Sequence, residues 1–360
     1  MAGTVGGITV GVSPKANIYG LKVLSDEGEG DTSTIIESFD YILQQVQQHN
    51  KWTKSIVTMS LGGECDGDCA QDPLVVAVEK LISKGIIVSV AAGNEGCNGC
   101  FSSPNAAPNA ITVGASDKFD KITYFSNYGE CIDVIAPGLS ITSACSSKIC
   151  GDTSSYMSMS GTSMATPHVA GVLAQILQKY DTIDINSISD VLSCDASSNI
   201  LTLASIDSIT RDFLLQIPMN ANMTVCNLGT GCDEYCNFAG ACLPVPLTND
   251  YHCYCDAGAY GNTCESSMDT CSFNIKMKMY DAYGDGWTFN NYAITDANGL
   301  VVAGAYDSLC YGDQDSRSYC VPDGCYKLDV VRGYYAGEVS WNMCTMTGSP
   351  VYFPLIQLLS

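Results

Sequence analysis

Hydrophobic and polar positions alternate in short blocks over residues 17–115, and the period of the pattern changes from block to block. Compact apolar runs predict strands buried on both faces, and apolar side chains that recur every three or four positions predict amphipathic helices. Strands that alternate with helices favour the α/β class, in which helices cover both faces of a parallel sheet. The expected strands are 17–24, 55–60, 86–92 and 111–115, and the expected helices are 34–49 and 73–84.

Local signals indicate where two of these helices begin or end. Thr34 and Glu37 stand at the spacing of a capping box. Asp72 followed by Pro73 is a typical helix start, and Gly85 is a typical stop. Further along the chain, the pattern predicts helices over 163–180 and 185–192, and an apolar segment at 213–217 closes the region.

Composition divides the chain into four parts. Residues 1–218 carry the strand and helix pattern, and residues 219–225 are typical of a linker. Residues 226–265 are dense in cysteine. Residues 266–360 are rich in Tyr, Gly and Asp with short apolar alternations, which favours a small all-β domain.

The charge balance narrows the possible partners. The chain has 16 basic and 38 acidic residues, a net charge of −22 spread along its length. An acidic surface repels phosphate backbones, so nucleic acid is not expected as a partner. No apolar run approaches the roughly 18 residues that a membrane span needs, so no membrane span is expected either.

Cysteine usage indicates an oxidising compartment, because 12 of the 20 cysteines follow residue 218. A basic start followed by an apolar segment is not visible, so we expect no signal peptide in these residues. The two observations conflict unless the natural N-terminus is missing. We therefore expect a secreted protein whose beginning is absent from this sequence.

The segment around Ser163 is the first candidate for chemistry. It reads Gly161-Thr-Ser-Met-Ala-Thr-Pro-His and places Ser163 at the start of a predicted helix. A helix N-terminus offers backbone N–H groups to a developing negative charge. Pro167 is expected in the first helical turn, where its missing N–H costs nothing. An ordinary N-cap serine remains the alternative interpretation.

Three further segments follow predicted strands, where open α/β sheets place their sites. Asn94 follows the strand at 86–92, and its amide is able to donate to an oxyanion, although a turn asparagine is the simpler interpretation. Ser60-Leu-Gly-Gly63 and Gly28-Glu29-Gly30 each contain glycines that let another backbone approach closely. Two such edges are suited to hold an extended peptide by main-chain hydrogen bonds.

Taken together, these motifs resemble the subtilisin family of serine proteases, in particular its proteinase K branch. The resemblance extends over residues 1–218 in the family's order and includes Gly11-Val-Ser-Pro-Lys-Ala, Leu21-Lys-Val-Leu and Asp133-Val-Ile-Ala-Pro-Gly138. It implies a subtilisin-like α/β fold, incomplete here, with Ser163 as nucleophile and Asn94 as oxyanion donor. It also implies substrate-binding roles for Gly28, Glu29, Gly30, Ser60, Leu61, Gly62, Ala91, Ala92 and Gly93.

The family's triad is incomplete in this sequence. A serine hydroxyl needs a base, and the base needs an orienting partner. The family's histidine segment, His-Gly-Thr-His-Val-Ala-Gly-Thr, aligns its valine with Met1, so the catalytic histidine is expected four places before Met1 and the aspartate further upstream. The three histidines present, His49, His168 and His252, are all expected to serve other roles.

Two explanations compete for the missing residues. In the favoured one, the sequence is truncated and the natural protein is an active secreted endopeptidase. In the other, the protease-like part is a relic, and a non-catalytic binding or adhesion role falls to the C-terminal modules. In both cases the chain as written is expected to be nearly inert.

The cysteines from Cys232 to Cys264 resemble those of an EGF-like domain. The resemblance implies the pairs 232–242, 236–253 and 255–264, whereas the spacing alone leaves 15 pairings of six cysteines open. Cys226 is left over and is available to the last domain. The residues before the module lack the acidic pattern of a calcium-binding subtype.

Two remaining features each allow two interpretations. Cys65, Cys69, Cys97 and Cys100 follow strand ends, where four thiolates would suit zinc, but disulfides that brace the loops are preferred. The segment Asp281–Trp287 resembles a tyrosine- and glycine-rich β module found after secreted proteases in protists. Its carboxylates suit calcium or a sugar, and a tight turn around a packed tryptophan is the simpler alternative.

The resemblance implies the following partners and cofactors. The expected substrate is a polypeptide, and the C-terminal modules are expected to bind extracellular matrix or a surface ligand. Catalysis in the family needs no cofactor. No metal ligand is assigned, and a structural calcium ion is possible without assigned residues.

Overall fold

The chain divides into two compact units in the computed structural model, Met1–Ala221 and Asn222–Ser360. The boundary falls within the range 219–225 that composition marks as a linker. In the first unit the structure describes residues 1–49, 54–65, 69–129, 131–151, 155–179, 188–198, 210 and 213–217. In the second unit it describes residue 326 and the strands given below.

The first unit contains both helices and strands. In chain order they are α1 (Ala2–Gly6), α2 (Thr32–His49), β1 (Ile56–Met59), β2 (Gly63–Glu64), α3 (Pro73–Ile82), β3 (Ile87–Ala91), β4 (Ser102–Ser103), β5 (Ile111–Ser116), β6 (Val134–Pro137), β7 (Ile141–Ala144), α4 (Ser147–Cys150), β8 (Tyr156–Met159), α5 (Thr162–Lys179), α6 (Ile188–Asp195), β9 (Ser197–Ser198) and β10 (Phe213–Leu214). Short 3₁₀ turns lie at Cys69–Gln71 and Gly99–Phe101.

A six-stranded sheet forms the centre of the first unit, in the order β1-β3-β5-β6-β10-β9. Its first five strands run parallel, and β9 pairs antiparallel with β10. Every residue of β3 and β5 is buried, as continuous apolar runs predict for strands covered on both faces. The predicted α/β class with a parallel sheet is confirmed.

Helices cover the sheet because each of them has one apolar side. Helices α2 and α3 share a buried cluster with β1 and β3 that includes Phe39, Val78 and Val90. Helix α5 packs across β1, β3, β5 and β6 and buries most of its length. Among the described residues, no helix combines the length and hydropathy that crossing a lipid bilayer demands.

Several helix boundaries differ from the predictions by one to three residues, as α2 and α6 illustrate. Helix α2 begins at Thr32, because the carbonyl of Asp31 already accepts a hydrogen bond from the N–H of Ile35, so Thr34 lies inside the helix. Helix α6 covers Ile188–Asp195 where 185–192 was expected, and residues 180–187 lie outside the described part of the chain.

The prediction of a strand at 17–24 is wrong. The segment makes no strand pairing with any described residue, and Ile18, Tyr19 and Leu21 are exposed. An extended segment becomes a strand only where a neighbour completes its ladder of hydrogen bonds. Only Val23 packs against the α2–α3 cluster. The apolar pattern alone does not make a strand, because a strand also needs a partner.

Asp72 caps helix α3 and ties it to β4. Its Oδ1 accepts hydrogen bonds from Leu74 N at 2.9 Å, Val75 N at 3.4 Å and Ser103 Oγ at 2.7 Å. Pro73 is the first helical residue, as expected, and Gly85 follows the helix with φ +84°. These bonds satisfy N–H groups that the helix itself leaves without acceptors.

Asp72→Ala is expected to lower the free energy of unfolding of the first unit by about 1–2 kcal/mol, since it removes an N-cap and a cross-link together. Urea unfolding followed by circular dichroism measures the change. Asp72→Asn retains the side-chain acceptor and is expected to lose less than half as much. Equal losses in the two variants would show that charge, not capping geometry, matters at this position.

All described elements of the second unit are strands. They are β11 (Gly240–Pro244), β12 (Tyr251–Cys255), β13 (Ala259–Tyr260), β14 (Ser266–Ser267), β15 (Phe273–Asp281), β16 (Asn291–Thr295), β17 (Val301–Asp307), β18 (Gln314–Val321), β19 (Lys327–Val331), β20 (Val339–Thr345) and β21 (Gln357–Leu359). They form the sheets β18-β15-β20 and β17-β16-β19-β21 and two hairpins, β11–β12 and β13–β14.

Along β15, the buried Met277 and Met279 lie on either side of the exposed Lys278, and Tyr292 and Ile294 of β16 are buried. In the cysteine-dense part, β11 and β12 bring Cys242 opposite Cys253. Because Cys232, Cys236 and Cys264 lie outside the described residues, the pairing implied by the EGF-like resemblance stays a prediction. Most of the segment 281–287 also lies outside them.

Candidate active site

Ser163 is the second residue of α5, and a sharp turn precedes it. Gly161 has φ +149°, and a Cβ at that position would lie 3.4 Å from Asn94 Oδ1. Glycine is favoured here by its positive φ and not by a lack of space, because 3.4 Å is an ordinary van der Waals contact. Ser163 is half-buried, and its Oγ makes no hydrogen bond with the described residues.

Asn94 lies in the loop after β3, next to this turn. Its Oδ1 accepts hydrogen bonds from Thr162 N at 2.8 Å and from Thr162 Oγ1 at 3.2 Å. Gly93 N also donates to Thr162 Oγ1, at 3.2 Å. Asn94 is exposed, and within the described part of the chain its Nδ2 makes no hydrogen bond. The amide is thus held by its oxygen, and its two N–H groups remain available.

Ser60 follows β1 and reaches the same helix start. Its Oγ donates a hydrogen bond to the carbonyl oxygen of Ser163 at 3.1 Å. Leu61 packs against the α2–α3 cluster. A Cβ at Gly62 would lie 2.7 Å from the Ser103 carbonyl oxygen, and the next two residues pair with β4. The segment 60–62 is therefore positioned by contacts on both of its sides.

The segment 28–30 lies in an exposed turn. Gly28 has φ +90°, and Ser25 N donates to Glu29 O at 2.7 Å. Lys148 of α4 forms an ion pair with Asp26 in this turn, and that contact lowers the pKa of the Asp26 carboxyl. No hydrogen bond among the described residues joins 28–30 to the Asn94, Ser60 or Ser163 segments. Hydrogen bonds join those three segments to one another, and the role of 28–30 stays a prediction.

Ala91, Ala92 and Gly93 form the end of β3 and the start of its loop. Ala91 and Ala92 are buried, and the Ala92 carbonyl accepts hydrogen bonds from Asn105 Nδ2 at 2.7 Å and Asn127 Nδ2 at 2.9 Å. Gly93 has φ +102°, which turns the chain away from the strand. The backbone of this segment is consequently held in one position.

The first unit has two histidines, His49 and His168. His168 Nδ1 lies 2.9 Å from the Met164 carbonyl oxygen, and burial lowers the pKa of the ring. His49 is the exposed last residue of α2. Neither makes a hydrogen bond to Ser163 Oγ in the described part of the chain. His252 lies on β12 of the second unit.

Pro167 departs from its expected place. It is the sixth residue of α5, beyond the first turn, so its missing N–H leaves a carbonyl within the helix without its usual donor. That carbonyl belongs to Ser163, four residues earlier.

Sequence reasoning missed Asn127, which holds the loop that carries Asn94. Asn127 is 1% exposed. Its Oδ1 accepts from Glu95 N at 3.0 Å and Cys97 N at 3.1 Å, and its Nδ2 also donates to Glu95 Oε2 at 2.7 Å. No local signal identifies this residue, because its partners lie about 30 positions earlier in the chain.

Disulfides brace the loops around the site. Cys65 pairs with Cys69, Cys100 with Cys131 and Cys145 with Cys150, and Cys97 is also disulfide-bonded. The preference for disulfides over a four-thiolate zinc site is confirmed, since all four candidate sulfurs are already bonded. The described residues contain no other group of His, Cys, Asp and Glu suited to a metal.

Comparisons with known proteins identify the family of the first unit. Residues 1–214 match the family model described as the subtilase family. Subtilisin-like protease 2 of Pseudogymnoascus destructans is 46% identical over 176 residues, 49% of this chain and 41% of that protein. The extracellular serine proteinase of Thermus sp. is 39% identical over 201 residues, 56% of this chain and 46% of that protein.

A solved structure extends the likeness to the fold. The crystal structure of a cold adapted subtilisin-like serine proteinase is 38% identical, with a TM-score of 0.53, and covers 61% of this chain and 73% of that one. The chain spans less than half the length of the two curated relatives. With a family model matched over more than half of its residues, the chain belongs to the subtilase family.

Proposed function

We propose that this protein is a secreted serine endopeptidase in which Ser163 attacks the peptide carbonyl and Asn94 donates to the oxyanion. The observation that carries the proposal is the pair of hydrogen bonds from Thr162 to Asn94 Oδ1. They fix the amide beside the start of α5 and leave Nδ2 free. Donors that are oriented before the reaction stabilise developing charge without reorganisation.

The mechanism follows from these groups. Ser163 Oγ adds to the substrate carbonyl as its proton passes to a base, and the carbonyl oxygen becomes an anion. Asn94 Nδ2 and the N–H of Ser163, at the positive end of the α5 dipole, stabilise that anion. As the intermediate collapses, the base returns its proton to the nitrogen, the amine leaves, and an acyl-enzyme remains, which water then hydrolyses. This reaction needs no cofactor.

Substrate is proposed to bind along two backbone edges. Residues 28–30 and 60–62 would pair with an extended peptide through main-chain hydrogen bonds, and residues 91–93 would line the pocket for the side chain before the cleaved bond. The two hydrogen bonds that the Ala92 carbonyl accepts support this role, since a specificity pocket requires fixed walls.

The base is proposed to come from outside these 360 residues. His168 is already engaged by backbone carbonyls of its own helix, and burial disfavours its protonated form. A catalytic base must accept a proton and remain charged beside its orienting carboxylate. We therefore assign the triad's histidine and aspartate to sequence not present here.

Secretion is supported by the disulfides of the first unit. The Thermus relative carries "extracellular" in its name. The second unit is proposed to contain an EGF-like module over 226–265 and a β module over 266–360 that tether the enzyme to a matrix or surface ligand.

The experiment begins with the genomic sequence upstream of the Met1 codon. An in-frame Asp-Ser/Thr-Gly followed by His-Gly-Thr-His is expected, and the extended chain is then expected to hydrolyse a peptide p-nitroanilide. In that chain, Asn94→Ala should lower kcat about 10²–10³-fold with KM little changed, the effect that holds for subtilisin.

The controls separate the two candidate functions. In the extended chain, Ser163→Ala should abolish formation of the acyl-enzyme. Asn109→Ala changes an exposed residue that bonds Glu79, and it should leave kcat unchanged. Stop codons upstream, or replaced triad residues, would favour the non-catalytic adhesion protein in which the second unit carries the function.

A further inference from the structure

Helix α5 has a gap in its hydrogen-bond ladder directly behind Ser163. In an α-helix the carbonyl of residue i accepts from the N–H of residue i+4. The residue four positions after Ser163 is Pro167, which has no N–H, and its ring also pushes that carbonyl away from the helix axis. The Ser163 carbonyl oxygen therefore requires another donor.

Ser60 supplies that donor from a different element. Its hydroxyl donates to the Ser163 carbonyl at 3.1 Å, across 103 positions of the chain. The two residues meet because α5 packs across β1, and Ser60 follows β1 directly. A carbonyl left without a donor in this half-buried site would lower the stability of the folded state.

We infer that Ser60 is a positioning residue for Ser163, replacing the amide that Pro167 lacks. The interpretation differs from the family resemblance, in which Ser60 only contributes to the substrate-binding edge. Its hydroxyl fixes the backbone of the residue that carries the nucleophilic oxygen. The hydrogen bond is a feature of the structure, and its catalytic consequence rests on the proposed function.

Because the Ser60 hydroxyl replaces the amide that Pro167 lacks, the effects of substituting these two residues should not be additive. Ser60→Ala removes the substitute donor, and Pro167→Ala restores a backbone N–H at position 167. Ser60→Ala should therefore loosen the start of α5 in the wild-type background and have little effect in the Pro167→Ala background. Two residues that act independently would give additive effects.

The first measurement is amide hydrogen exchange across α5 in the 360-residue chain. Ser60→Ala is expected to speed exchange of the Met164, Ala165 and His168 amides roughly threefold to tenfold, the range for one lost hydrogen bond. Amides at 173–177 should not change, whereas a general loss of stability would accelerate both groups. In the Pro167→Ala background the effect at 164–168 should fall below about twofold.

The second measurement is the ¹³C NMR chemical shift of the Ser163 carbonyl. Labelling with carbonyl-¹³C serine and ¹⁵N methionine isolates the Ser163–Met164 peptide unit, with Ser158–Met159 and Ser267–Met268 as internal references. Loss of the hydrogen bond should move the Ser163 carbonyl signal upfield in Ser60→Ala and leave it in place in Ser60→Thr, which retains the hydroxyl. The references should not move.

Ser38→Ala is the matched control, because the Ser38 hydroxyl also donates to a helical carbonyl, that of Ile35 in α2. It should leave both readouts at Ser163 unchanged. An unchanged Ser163 signal in Ser60→Ala, or an equal effect of Ser60→Ala in both backgrounds, overturns the inference. If Pro167→Ala does not fold, the carbonyl signals of Ser60→Ala and Ser60→Thr decide alone.

An activity readout on the extended chain separates positioning from substrate binding. A positioning role predicts that Ser60→Ala lowers kcat, whereas a binding role alone predicts a higher KM at constant kcat. Absence of any hydrolysis by the extended wild-type chain would count against the proposed function. It would not affect the hydrogen-exchange result or the result for the Ser163 carbonyl signal.

Discussion

A fluorophosphonate probe is expected to leave Ser163 of the purified 360-residue chain unlabelled, and peptide hydrolysis is expected to be about 10⁶-fold slower than in an intact subtilase. The magnitude is the one that holds for subtilisin when its triad is removed. The reason is the state of the oxygen: without a base, a serine hydroxyl at neutral pH is a poor nucleophile even beside oriented oxyanion donors.

The measurement is mass spectrometry of the intact chain after incubation with the probe. High concentrations of free imidazole are expected to increase labelling at Ser163, because a base from solution can take the proton of the hydroxyl. Ser163→Ala serves as the control and should remain unlabelled under both conditions. Rapid labelling of Ser163 without imidazole would contradict the absence of its base.

Asn127→Ala is expected to lower the free energy of unfolding of the first unit by about 3 kcal/mol. The substitution removes the acceptor of Glu95 N and Cys97 N and a donor to the Ala92 carbonyl. Cys97 is buried, so leaving its N–H without an acceptor costs the full free energy of desolvating that group. The effect should be largest in the loop that carries Asn94, where these bonds converge.

Urea unfolding gives the overall change, and hydrogen exchange at the Cys97 amide gives the local one. Asn127→Asp keeps the acceptor but loses the donor and adds charge beside Glu95, so an intermediate loss is expected. Asn109→Ala is the matched control, since Asn109 also bonds a residue 30 positions away, Glu79, but on the surface. A loss below about 1 kcal/mol for Asn127→Ala would show that the disulfides alone hold the loop.

The central strands were predictable because their apolar runs reflect burial on both faces. Residues 86–92 and 111–115 match β3 and β5 closely, and the start of α3 at Pro73 follows from Asp72. These signals are local: a strand inside a covered sheet needs apolar residues throughout, and a helix start needs a side-chain acceptor. Neither requires knowledge of which distant residues meet.

The segment 17–24 shows where this reasoning ends. Its apolar pattern is that of a strand, yet no described residue pairs with it, and Tyr19 is 87% exposed. Periodicity reports what a segment is able to form, whereas strand formation also depends on a neighbour with free backbone groups. Helix α2 illustrates the same limit on a smaller scale, since the carbonyl of Asp31 and not the side chain of Thr34 determines its start.

The amino-acid sequence by itself determined the α/β pattern, the family motifs and the identity of Ser163, Asn94 and Ser60 as residues of interest. The tertiary structure alone decided that Ser60 meets the Ser163 carbonyl and that Asn127 holds the loop of Asn94. Local patterns depend on neighbours within a few residues, so periodicity records them. Contacts across 30 to 103 positions depend on how the sheet brings strand ends together, and no short window of sequence contains both partners.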